Sequence, residues 1–217
     1  MALTRACLVD VYETLVAYDF VAHSRALAAL AGADAGAWQR GQVAVLPDFD
    51  KGVLSPAEAI TRILAACQVE PRPELVARLA RADSEFMTAQ CGLYADALPF
   101  LRELRSRGMK IALVSNCSAN TRQLLITLGL TALADELILS CEVGFAKPEP
   151  EIYQRALDAL DVPPTAAVLV DDQPSYCAGA TALGIRPIQL ARNGGAPPPP
   201  PPFPVATSLP EAAKLLI

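Results

Sequence analysis

Short apolar runs that stop at a polar residue recur along this chain, separated by stretches of helical spacing, and this alternation constrains its fold more than any other feature. Cys7-Leu8-Val9 stops at Asp10, Lys110-Ile111-Ala112-Leu113-Val114 at Ser115-Asn116, and Ala166-Ala167-Val168-Leu169-Val170 at Asp171-Asp172. Runs without polar alternation belong to strands covered on both faces. Helical stretches at 96–107, 119–128 and 175–183, with shorter strands expected at Glu136–Ser140 and Arg186–Leu190, complete the alternation of a doubly wound parallel α/β sheet. A further helix is expected to start at Pro148 and run to about Leu160. Right-handed crossovers then bring the polar residues at the strand ends to one edge, where open sheets of this class bind ligands.

Residues 17–92 break the alternation. Ala- and Leu-rich stretches at 20–31, 33–45, 56–67 and 73–90 carry helical spacing, and Ser55-Pro56-Ala57-Glu58 is a helix entry with a capping serine, a proline in the first turn and a glutamate three residues on. The segment is too long for a βα loop, so residues 1–16 and 93–217 are expected to form the sheet domain and 17–92 a helical domain inserted over its edge.

The 217 residues, 53% hydrophobic and 19% charged, suffice for a sizeable core. A net charge of -5 without Lys/Arg clusters argues against a nucleic-acid surface. No apolar signal core opens the chain and no 18-residue apolar span follows, so the expectation is a soluble cytoplasmic protein with no membrane partner. Six scattered cysteines without a C-x-x-C pair read as free thiols in a reducing compartment. The single histidine, His23, leaves no material for a Ser-His-Asp or multi-histidine metal mechanism. Pro197–Pro202, six consecutive prolines, reads as an extended spacer, and 209–216 as a closing helix. The oligomeric state is not legible; a homodimer is the assembly left open.

The strand ends offer Asp10, Ser115-Asn116, Lys147 and Asp171-Asp172. Each alone has an ordinary reading as a turn, cap or surface charge. Together, in this order, Asp10-Val11-Tyr12-Glu13-Thr14-Leu15, Ser115-Asn116, Lys147-Pro148 and Asp171-Asp172 resemble motifs I to IV of the haloacid dehalogenase (HAD) superfamily of hydrolases, and the helical insert resembles that family's C1 cap. The resemblance implies an aspartate nucleophile, Asp10, oriented by Lys147, with Thr14 hydrogen-bonding near it and Ser115, Asn116 and the following backbone holding substrate oxygens. It further implies Mg²⁺ held by Asp10, Asp172 aided by Asp171, and the main-chain carbonyl of Tyr12, and a small-molecule substrate, a phosphorylated metabolite in the first instance. Such chemistry is physically coherent, because a carboxylate attacking an anion needs cations around it.

Two departures pull in different directions. The family's phosphatases carry a second Asp where this chain has Tyr12; that group serves as general acid and base, is typically worth about 10² to 10⁴ in rate, and is poorly replaced by a phenol. Tyrosine there resembles the 2-haloacid dehalogenase branch, in which Arg40 would clamp a substrate carboxylate and Tyr12 would line the substrate site. The Asp171-Asp172 pair resembles the Mg²⁺-binding version instead, since adjacent carboxylates beside Asp10 repel unless a cation lies among them. Glu13 stands where the family usually has Gly and could replace the missing acid, but its odd position relative to Asp10 is expected to point it away from the site. A HAD fold kept for binding after losing turnover is the third reading.

Overall fold

The computed structural model describes residues 4–192 and 203–216; Pro197–Pro202 lies outside them. The chain enters at β1 (Ala6–Val9), whose four residues are all buried, and turns through β2 (Val16–Ala17) into four helices. These are α1 (Phe20–Ala31), α2 (Ala35–Phe49), α3 (Pro56–Ala66) and α4 (Pro73–Gln90). Asp19 and Asp34 cap the first two by accepting from Ala22 and Ala37 N–H, and Ser55 with Glu58 forms the expected capping box on the third. The four helices pack around their own apolar cluster, with Trp38, Leu64 and Leu79 fully buried.

The chain returns through β3 (Gly92–Leu93), antiparallel to β2, so the insert is entered and left through a two-stranded hinge that short apolar pairs gave no means of reading beforehand. Then follow α5 (Ala97–Ser106), β4 (Lys110–Ser115), α6 (Thr121–Thr127), β5 (Glu136–Leu139), α7 (Ser140–Val143), α8 (Pro150–Leu160), β6 (Ala167–Asp171), α9 (Pro174–Ala182), β7 (Arg186–Leu190), β8 (Val205–Ala206) and α10 (Leu209–Lys214). The expected helix start at Pro148 is corrected to Pro150: the Lys147-Pro148 peptide is cis and lies in the loop, and Pro150 takes the first-turn position instead.

Six strands form one parallel sheet in the order β5-β4-β1-β6-β7-β8. β1 lies between β4 and β6, with Leu8 in register with Ala112 and Leu169, which explains its unbroken apolar sequence. One face packs on α5, α6 and α10 through Phe100, Leu101, Leu125 and Leu209, the other on α8 and α9 through Ile152, Tyr153, Leu157 and Ala180. Truncating a wholly buried leucine such as Leu8 to alanine costs roughly 2–5 kcal/mol in cores of this kind. All six cysteines are free, and among the described residues no helix is long and apolar enough to cross a membrane.

Two close approaches join the insert to α7 and the loop that follows it. At Gly52, just past α2, a Cβ would stand 2.3 Å from the Cys141 carbonyl oxygen, so only glycine permits the contact. The next-door Lys51 pairs with Glu149, whose other carboxylate oxygen accepts the Ala146 N–H at 2.9 Å.

Candidate active site

The carboxyl edge of the sheet brings Asp10, Lys147 and Asp171 into one buried cluster. Asp10 follows β1 and is held by its own N–H to the Val170 carbonyl at 2.9 Å, so the nucleophile candidate is fixed to the strand that ends in Asp171. Lys147 Nζ lies 2.6 Å from Asp10 Oδ1 and 2.6 Å from Asp171 Oδ2, with its side chain wholly buried. Burial alone would pull this ammonium's pKa down, but the two carboxylates outweigh it and hold Lys147 charged. Asp171 is likewise pushed up, to about 7, by burial against the pull of Lys147, and Asp172 to about 6 by burial and by Asp10.

Oxygen atoms of Asp10, Asp171 and Asp172 lie within 4.8 Å of one another. Both Asp171 oxygens are engaged, one by Lys147 and one by the Gln173 N–H at 2.9 Å. Asp172 Oδ2 accepts from Gln173 Nε2 at 2.7 Å, which leaves its other oxygen and Asp10 Oδ2 without a protein partner among the described residues. This all-oxygen set, three carboxylates against one ammonium, fits a hard divalent cation.

The remaining expected residues divide. Asn116 binds Lys147 from both sides of its peptide, accepting its N–H at 2.7 Å and donating to its carbonyl at 2.9 Å, so it positions the lysine as well as lining the cavity. Tyr176 closes the ring: its hydroxyl lies 3.2 Å from Asn116 Nδ2 and its ring centroid 4.9 Å from Lys147 Nζ. Tyr12 lines the cavity, but its hydroxyl is bonded to Thr121 Oγ1 at 2.8 Å and burial pushes its pKa up, so it is a poor acid.

Other expectations are corrected by the geometry. The Thr14 hydroxyl is buried without a hydrogen-bond partner among the described residues; its carbonyl is what matters, accepting from Arg192 at 2.7 and 3.2 Å. Ser115 is wholly buried and does not line the cavity, its hydroxyl standing 3.4 Å from the Asn116 carbonyl, and the Cys117 N–H beyond it is spent on Ser140 Oγ at 2.9 Å. Arg40 is exposed and outside the cavity wall, since Trp38, Gly41 and Val45 take the inner face of α2. Glu13 does line the cavity rather than turning from it: at φ 58° its carboxylate folds back to accept the Tyr18 N–H at 2.7 Å and the Tyr94 hydroxyl at 3.0 Å.

The cavity, about 390 Å³, runs from Asp10, Asp172 and Asn116 into the insert. There its wall includes Tyr18, Phe20, Trp38, Phe49, Ile60 and Met87. No Lys or Arg stands in this wall among the described residues. Arg192, which sequence reading missed, lies outside it: it forks onto Asp96 at 2.8 and 3.1 Å and stacks 3.9 Å from the Tyr94 ring, tying the nucleophile's loop to the end of β7.

The family model for haloacid dehalogenase-like hydrolases matches residues 4–184. Phosphatase MT3486 of Mycobacterium tuberculosis (strain CDC 1551 / Oshkosh) is 37% identical over 46% of this chain and 48% of its own length. (S)-2-haloacid dehalogenase 4A of Burkholderia cepacia is 29% identical over 89% of this chain and 85% of its own. A crystal structure of a dehalogenase superposes with TM-score 0.70 at 25% identity, covering 98% of this chain and 96% of that one. The chain spans about half the length of the first curated relatives it matches.

Proposed function

Because this chain belongs to the haloacid dehalogenase-like hydrolase family, we propose that within it the protein is a Mg²⁺-dependent phosphohydrolase working through Asp10, suited to small phosphorylated compounds whose leaving group departs readily. The carrying observation is the cluster of Asp10, Asp171 and Asp172 oxygens within 4.8 Å, compensated by a single buried lysine. Asp10, Asp172 and the Tyr12 carbonyl would hold the cation, with Asp171 anchoring Lys147 beside them. When bound, a divalent cation offsets the charge of the phosphoryl oxygens.

Lys147 holds Asp10 aimed, 2.6 Å from its Oδ1. The Asp10 carboxylate then attacks phosphorus, the bond from phosphorus to the leaving oxygen breaks with its electron pair going to that oxygen, and water later cleaves the aspartyl phosphate to phosphate and free Asp10. Tyr12 contributes little proton transfer, since its hydroxyl is tied to Thr121 and its pKa is raised by burial. Leaving groups that depart as stable anions, aryl and acyl phosphates, are therefore favoured. The test is p-nitrophenyl phosphate with Mg²⁺ or with EDTA: metal-dependent turnover supports the reading, and turnover unaffected by EDTA, or none, contradicts it.

A second reading, opening of a carbon–halogen bond, is favoured by Tyr12 and by the near-full-length likeness to the Burkholderia enzyme. The absence of a guanidinium from the described cavity wall weighs against it. Halide release from 2-chloropropionate without added metal would establish it in place of the first.

A further inference from the structure

The half of the cavity lying in the helical insert has a chemistry that the reacting end does not use. Two carboxylates of the insert, Asp50 and Asp83, stand in a wall that is apolar but for His23, Gln42 and the Tyr18 hydroxyl. The Asp50 carboxylate has no hydrogen-bond or ion-pair partner among the described residues, and burial pushes its pKa up to about 6. Asp83 is pushed to about 6 for the same reason, with only a 3.4 Å contact to Asn120 Nδ2 and a 3.4 Å approach from His23 Nε2. That histidine supplies no counter-charge at neutral pH, because burial pulls it down to about 4.

The Tyr18 hydroxyl, 2.8 Å from His23 Nδ1, is pushed up first by burial and then by Asp83, Cys91 and Asp50, and its ring packs 5.4 Å from that of Tyr12, two residues beyond the nucleophile. Aromatic faces of Tyr18, Phe20, Trp38 and Phe49 line the same space. Trp38 is wholly buried, yet its indole N–H has no partner, nor has Gln42 Oε1 on the next turn. An apolar chamber holding uncompensated negative charge, an unpaired acceptor in Gln42 Oε1 and π-faces is complementary to an organic cation.

We propose that this half of the cavity receives the leaving group of the substrate, and that the group is an apolar, aryl-type body bearing a protonated amine and no second anion. The amine lies against Asp50 and Asp83, the ring among the aromatic side chains, and the phosphoryl group at Asp10. A second carboxylate or phosphate would meet two carboxylates and no cation in this wall. The proposal rests on the phosphohydrolase reading for the reacting end alone; the subsite is defined by its own residues.

The test uses leaving alcohols, so that nothing depends on turnover: tyramine, 4-ethylphenol and 4-hydroxyphenylacetate are titrated calorimetrically into the full chain at pH 8. Tyramine is expected to bind roughly tenfold tighter than 4-ethylphenol, the size of a desolvated cation–π and ion-pair preference, and the acid more weakly than either. In the folded double variant Asp50→Asn, Asp83→Asn, the tyramine preference collapses. Equal or tighter binding of the acid, a preference that survives the double variant, or no binding of any of the three would overturn the proposal. A protein that sorts the amines but leaves p-nitrophenyl phosphate untouched keeps this subsite and loses the phosphohydrolase reading.

Discussion

Lys147 is a single ammonium serving two aspartates at 2.6 Å each, and a buried ion cluster of this kind is sustained only if every partner is held in place. Asn116 and Tyr176 hold it, through both ends of the lysine's peptide and through a ring face. Tyr12 is the residue that sets the chemistry apart. Changing Tyr12→Asp restores a carboxylate at the position the resemblance assigns to the general acid. We expect turnover of an alkyl phosphate to rise by about 10²-fold while that of an aryl phosphate, which needs no proton, changes little; equal effects on both would remove Tyr12 from the account. Asp10 and the Asp171-Asp172 pair were legible in the sequence because each ends an apolar run and the sheet topology carries run ends to one edge, and Lys147 through the likeness of Lys147-Pro148 to motif III. Arg40, Ser115 and Thr14 were not, because a residue's position in a motif does not state which way its side chain turns once the element is packed. Asp50 follows the end of α2 and Asp83 lies within α4, neither in a motif, and only the cavity joins them to Asp10.

At the scale of elements, the buried strands announced themselves through their unbroken apolar sequence, and the start of α3 through Ser55 and Glu58; the Asp19 and Asp34 caps emerge only in the structure. The two-residue strands β2, β3 and β8 did not, since pairing of so few residues is decided by what lies across from them. The packing of α9 on the lysine loop was equally hidden. At Gly179 a Cβ would stand 2.8 Å from Pro148 Cβ and 2.9 Å from the Pro148 carbonyl oxygen, so the helix approaches that loop more closely than any other residue allows. Gly179→Ala must therefore push the loop carrying Lys147. We expect a loss of roughly 1–3 kcal/mol of stability in thermal melts, and a fall in kcat larger than any change in KM. An unchanged kcat would show that the lysine's position is insensitive to this contact.

For the molecule as a whole, the sheet and the helical insert enclose one cavity, to which the sheet contributes the nucleophile and the insert uncompensated carboxylates. That arrangement carries a stability cost with a definite pH signature. Asp50 and Asp83 have folded-state values of about 6, above the ordinary carboxylate value, so the stability linked to them is fully present below about pH 4 and is lost as pH rises through 6. His23, pulled down to about 4, works the other way: its contribution is lost as pH falls from its ordinary value near 6.5. Two protons outweigh one. Asp50→Asn and Asp83→Asn should thus each raise the melting temperature at pH 8, by up to about 3 kcal/mol of stability each, and the gain should vanish near pH 4; a gain independent of pH would refute the assignment. The central claim, that the gathered strand ends let Asp10 bond transiently to a phosphoryl group, is tested most directly by acid-quenching the protein during turnover of an aryl phosphate with Mg²⁺ and weighing it intact. The account predicts one added phosphoryl group, located on the peptide containing Asp10 and absent from Asp10→Asn. Turnover with no adduct, or an adduct that persists in Asp10→Asn, would contradict it.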